Sequence, residues 1–232
     1  MKIAILTSVL GMGDAKIHDP KLDFSLPGQI DYYAFVDQVY PLQIWRQMPL
    51  PKFSNIDTTY ADRRNAKLPK ILGAYLVPGY DYYIWHDHYA EVRMHPHQIV
   101  AEYLKENLFG LFAHPERACV YQEIEILRTR GLDHAQNLDS FKTFLESKNY
   151  PRNVGLFELS SFMYKNCHTV NSFMLSWWEL INRYSSRDQI SFAYLINQYR
   201  IPHTVLPGSG QAYASNNQFF PQVRTHRQVQ VF

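Results

Sequence analysis

Cysteine is scarce, long apolar runs are missing, and neither charge sign dominates. Only Cys119 and Cys167 occur among 232 residues. Two cysteines make no disulfide framework and read as reduced, buried thiols. No apolar stretch approaches the roughly 20 residues that span a bilayer. Residues 2–10 are mostly apolar, but Lys2 is the only basic residue at their start and no clear small-residue cleavage site follows. They read as a first strand rather than a secretory signal. No run of five like charges occurs, and the formal net charge is +2 with 10 histidines neutral. That excludes a nucleic-acid footprint. Internal repeats, low-complexity tracts and an evident interdomain linker are absent too. What is left is a cytoplasmic chain, or one domain of a longer protein, with peripheral membrane attachment open and oligomeric state undetermined.

Apolar and aromatic residues are plentiful. The chain is 46% hydrophobic and 19% charged, with 17 Tyr, 14 Phe and 4 Trp. That supports a real core in one domain. Aromatics bury large surfaces and also stack on sugar rings, with packing the commoner use.

Strand-like segments alternate with helical ones. Lys2–Ser8 and Tyr32–Val36 are apolar strands, and Gly11 and Gly13 mark the loop after the first. Residues 41–58, with three prolines, read as an irregular connection. Ala61–Tyr75 has helical spacing, with a break or a start expected at Pro69. Tyr82–Trp85 is a strand. Pro96 opens a helix that the spacing carries to Leu108. Further helices run from about Arg117 to Arg130, stopped by Gly131, and around Phe141–Leu145. Val154–Phe157 and Ser161–Tyr164 read as two strands around a turn. Thr169 or Asn171 caps a helix carrying Trp177. Arg187–Tyr199 is a last helix and Thr204–Leu206 a last strand. Such alternation predicts an α/β sheet with mostly parallel strands.

Asp87 is the most informative residue. It ends the apolar Tyr82–Trp85 strand between His86 and His88, where open α/β sheets place their ligand sites. An acid there can hold a divalent cation, and the cation a diphosphate. Arg63, Lys67 and Lys70 share one helical face and suit a diphosphate. His114 and Arg117 lie near a helix start that attracts anions, with Glu123 facing Arg117 only loosely. Arg187, Asp188 and Gln189 open the last long helix, where Asp188 can take a proton from a substrate hydroxyl. Glu158 is the rival carboxylate.

Four strings stand in one order: the basic group Arg63 to Lys70, Trp85-His-Asp87, His114-Pro-Glu-Arg117 through Tyr121 and Glu123, and Arg187-Asp-Gln-Ile-Ser-Phe192. Over roughly residues 60–195 the chain resembles a glycosyltransferase-like family first catalogued as a domain of unknown function. That family is known from plant mucilage and pollen-tube proteins and from bacterial and viral glycan clusters. The resemblance implies a GT-A fold in a single domain, 1–232, with a donor-binding half to about residue 95 and an acceptor-binding half after it. It implies transfer of a sugar from a nucleotide-sugar donor, with UDP the expected nucleotide, to a glycan or other hydroxyl acceptor. On this mapping Thr7, Ser8 and Asp37 lie near the nucleoside. Asp87 grips the diphosphate through Mn²⁺ or Mg²⁺, with Arg63 and Lys67 adding charge. The second acid of the Asp-x-Asp motif is replaced by Tyr89, which leaves His88 and a late His203 or His226 as further ligands. Asp188 is the first choice for the acceptor base and Glu158 the second. Two other readings stay open: a metal-dependent hydrolase built on His86, Asp87 and His88, and a non-catalytic glycan-binding module.

Overall fold

Seven buried residues in a row, Ile3–Val9, form β1. A strand covered on both faces needs such a run. Six further strands follow: β2 Ile30–Val36, β3 Arg46–Pro49, β4 Tyr82–His86, β5 Phe109–Ala113, β6 Phe157–Lys165 and β7 His203–Val205. A computed structural model describes residues 1–10, 17–50 and 60–208. The strands make one sheet in the order β3-β2-β1-β4-β6-β5-β7. All pairs are parallel except β4–β6 and β5–β6. The donor and acceptor halves expected on either side of residue 95 thus share one sheet, joined through β4 and β6.

Alternating side chains feed two cores. Ala4, Leu6, Phe35, Tyr83, Trp85 and Phe162 face one side. There they meet the helices α1 Ala61–Leu76, α5 His168–Arg183 and α6 Asp188–Gln198. Ile3, Ile5, Tyr32, Ile84 and Met163 face the other. That side is covered by loops, by the short α2 Pro96–Ile99 and by a π-helical turn, Val100–Leu104. Two more helices, α3 Val120–Thr129 and α4 Ala135–Ser147, complete the elements of the described residues.

Several local expectations change. Pro69 neither starts nor ends α1; the helix runs through it and is distorted at Leu72 (φ −101°, ψ 23°). The proline removes only the bond back to Asn65 O in the preceding turn, while the distortion at Leu72 lies after it, next to Gly73. The connection over 41–58 contains β3, and its residues 51–58 lie outside the described residues. The helical spacing up to Leu108 gives way to the strand β5. The strands expected at Val154–Phe157 and Ser161–Tyr164 are one continuous β6, and residues 154–156 lie outside it. Cys167, not Thr169 or Asn171, stands at the start of α5, and it is only half-buried. Gly131 does stop α3. Its φ of +60° lets its own N–H reach Arg128 O and the N–H of Leu132 reach Leu127 O. This turn delivers Leu132 to the cleft wall and places Asp133 against Ser185 and Ser186 before α6.

Candidate active site

The C-terminal ends of β1 and β4 meet the N-terminal end of β6, because β6 runs antiparallel to β4. A cleft of about 730 Å³ opens there. The α1 face carrying Arg63, Lys67 and Lys70 forms one wall, and Arg187, Asp188 and Gln189 at the start of α6 continue it. Asp87, His88 and Tyr89 beyond β4, with Glu158 and Ser160 on β6, form the other. The backbone fixes this second wall, as the Asp87 N–H donates to Ser160 O at 2.8 Å. Ser8 ties β1 to α1 through a 2.7 Å bond to Ala66 O. A smaller cavity of about 220 Å³, lined by His18, Trp45 and Glu91 among others, shares His88 and Tyr89 with the cleft.

Asp188 is the electrostatic centre of the α1 wall. It is buried, and its Oδ2 accepts from Lys67 Nζ at 2.9 Å and Lys70 Nζ at 2.6 Å. Burial opposes its ionisation, but the two ammonium groups prevail and hold the carboxyl far below the ordinary carboxylate range. So stabilised an anion takes up a proton poorly, which disfavours Asp188 against Glu158 for the part of acceptor base. Its chemistry is to hold two lysines in place. Lys67 is lowered to about 8, by burial first and then by the charges of Lys70 and Arg187, against the pull of Asp188.

Glu158 stands in the opposite regime. Burial raises it to about 7, and the Asp87 charge adds to the effect, with Lys70 opposing. A carboxyl poised near neutrality in a cleft has the properties of a general base.

Mn²⁺ and Mg²⁺ bind oxygen ligands, chiefly carboxylates. The donor set here does not fit them. Asp87 Oδ1 accepts from Trp85 Nε1 at 3.1 Å and Oδ2 from the Tyr89 hydroxyl at 2.9 Å. Tyr89 brings a neutral phenol where a second acid would stand. His203 lies on β7 beside Phe109 and bonds Ile201 O at 2.9 Å, away from the cleft. His226 lies outside the described residues. Among the described residues no three His, Cys, Asp or Glu side chains come together as a metal site. The hydrolase reading meets the same obstacle. His86 turns to the opposite face, edge-on to Trp45, and burial lowers it to about 4.

Comparison with known proteins gives the family. The model of the TOD1/MUCI70, glycosyltransferase-like domain matches residues 30–207. The chain belongs to that family. The probable hexosyltransferase MUCI70 of Arabidopsis thaliana is 30% identical over 182 residues, which cover 70% of this chain and 31% of that protein. The chain therefore spans about a third of this curated relative. Among solved structures, the bifunctional glycosyltransferase WbbM superposes with a TM-score of 0.53 at 9% identity, over 89% of this chain and 39% of that one. The fold is that of GT-A glycosyltransferases, as the sequence implied. Core-mannan synthase A of Aspergillus fumigatus, described as an Mn/GDP form, matches 84% of this chain and 69% of that one at 11% identity. Its TM-score is 0.41.

In this TOD1/MUCI70 domain, the residues expected at the site divide cleanly. Ser8, Arg63, Lys67, Asp87, His88, Glu158, Arg187, Asp188 and Gln189 line the cleft. Thr7 is buried on the other face, and Asp37 is exposed beyond β2; neither lines it. His114 and Arg117 form a closed cluster of their own. Arg117 donates to Glu123 and to Glu116, each at 2.6 Å, and His114 Nδ1 accepts the backbone N–H groups of Glu116 and Arg117. Two carboxylates already match that guanidinium, so it is not available to grip a phosphate, and Glu123 is a close partner rather than a loose one. Trp85, Tyr89 and Leu132 are cleft residues that the sequence reading assigned no role. The Trp85-His-Asp87-His-Tyr89 string held two of them in view.

Proposed function

We propose that the domain transfers a glycosyl group from a nucleotide-sugar donor to a hydroxyl of a glycan acceptor. One observation carries the reading: a row of cations and a carboxyl near neutrality face each other across one cleft at the end of a GT-A sheet. The donor diphosphate lies toward Arg63, Lys67 and Arg187. The acceptor hydroxyl lies toward Glu158. As its oxygen bonds to the anomeric carbon, the bond from that carbon to the phosphate oxygen breaks. The electron pair leaves with the diphosphate and the hydroxyl proton passes to Glu158. The cations stabilise charge that grows on the leaving group. UDP is the expected nucleotide, and the donor half to about residue 95 supplies most of its contacts.

The test is a panel of nucleotide sugars assayed for release of the free nucleoside diphosphate, with thermal melting alongside. Slow hydrolysis of at least one donor and a raised melting temperature support the proposal. No release and no thermal shift with any of them, while glycan binding persists, would instead favour the glycan-binding module.

A further inference from the structure

We infer that the donor diphosphate is held without a metal ion, by the cationic row Arg63, Lys67, Lys70 and Arg187. The inference rests on the proposed donor site and identifies what binds the phosphates there. The first observation is the state of Asp87. Both its oxygens accept hydrogen bonds from neighbours in its own string, and the adjoining motif position supplies a phenol rather than a carboxylate. Asp87 thus fixes Trp85 and Tyr89, and so shapes the wall of the cleft.

The second observation is an excess of positive charge opposite. Lys67 and Lys70 converge on the same oxygen of Asp188, so one carboxylate serves two ammonium groups. Arg63 donates to Leu132 O at 2.5 Å and lies over the Tyr60 ring. Neither neighbour cancels its charge. Burial lowers its affinity for its proton, and the nearby Arg187 lowers it further, with Asp133 and Asp188 opposing. Arg187 lines the cleft, and its buried Nε has no hydrogen-bond partner within the protein. A buried guanidinium donor left without an acceptor is costly unless a ligand fills it.

The remaining acids of the cleft stand apart from this row. Asp62 is exposed at the start of α1, and Asp87 keeps its charge but lies on the opposite wall with Glu158. On the α1 and α6 wall itself, Arg63, Lys67, Lys70 and Arg187 gather around the carboxylate of Asp188, with Asp133 behind Arg63, and present a cationic face to a diphosphate. Guanidinium and ammonium groups then do what a divalent cation does elsewhere, and they bind phosphate oxygens directly.

Calorimetric titration of UDP and of inorganic pyrophosphate, in excess EDTA and in Mn²⁺, tests this. Both ligands should bind in EDTA with affinity equal to that in Mn²⁺. Asp87→Asn should leave that affinity unchanged or tighter, because it removes a negative charge. Arg187→Gln should weaken it by about tenfold or more. Arg63→Gln, on α1 rather than α6, should act in the same direction if Arg187→Gln fails to fold. Binding abolished by EDTA or by Asp87→Asn would overturn the inference while leaving the donor site standing. Binding of neither ligand under any condition would overturn the donor site, and the inference with it.

Discussion

Two carboxyl groups in one cleft are driven in opposite directions by their neighbours. Asp188 has two lysines and stays ionised; Glu158 has a buried setting and a nearby negative charge, and holds its proton to about pH 7. The consequences for Glu158 can be measured. It must be ionised to accept a proton, so turnover should rise as pH increases through about 7. Glu158→Gln should lower turnover by about 100-fold or more and flatten that limb. Stability carries the opposite sign. A carboxyl raised from 4.5 to about 7 stabilises the fold fully below 4.5, and that contribution is lost as pH rises through about 7. Relative to wild type, Glu158→Gln should therefore melt higher above neutrality than in acid. A melting difference independent of pH would refute the raised value.

At the scale of elements, the cleft depends on how α1 and α6 are held. Arg64, pointing away from the cleft, anchors α1 to the end of α5 by bonds to Ile181 O at 3.2 Å and Tyr184 O at 3.1 Å. Gly73 lets α1 approach β1, since a Cβ there would collide with the Leu6 side chain. The start of α6 is fixed from the turn after α3. Asp133 accepts from Ser185 Oγ at 2.7 Å, Ser186 N at 2.7 Å and Ser186 Oγ at 2.9 Å. This positions Arg187 and Asp188, which follow directly. Asp133→Ala should cost about 2–3 kcal/mol, because it orphans buried donors. It should also weaken UDP binding several-fold although Asp133 does not line the cleft. Melting and calorimetry on the same variant check both. Full affinity in a destabilised protein would show that α6 is positioned by other contacts.

Over the whole molecule, the sheet and most helices were legible because their signals are local. Lys2–Ser8, Tyr32–Val36 and Tyr82–Trp85 are apolar runs that fit a strand buried on both faces. What escaped was set by distant partners. The strand β3 is four residues long, lies at the sheet edge and has no apolar run of its own. The strand β5 follows helically spaced residues directly, and only its pairing with β6 and β7 makes Phe109–Ala113 extended. The state of Asp188 comes from lysines that are remote in sequence. Arg117 offered the same anion-binding chemistry as Arg187, but Glu116 and Glu123 satisfy it within its own turn. Residue type and spacing named the candidates, and tertiary charge balance selected among them.

The most direct measurement is a crystal structure of the domain with UDP bound. The phosphate oxygens should lie within hydrogen-bonding distance of Arg187 and Lys67, leaving room for a sugar in front of Glu158. Phosphates seated outside this cleft, or bridged to Asp87 by a cation, would contradict the account.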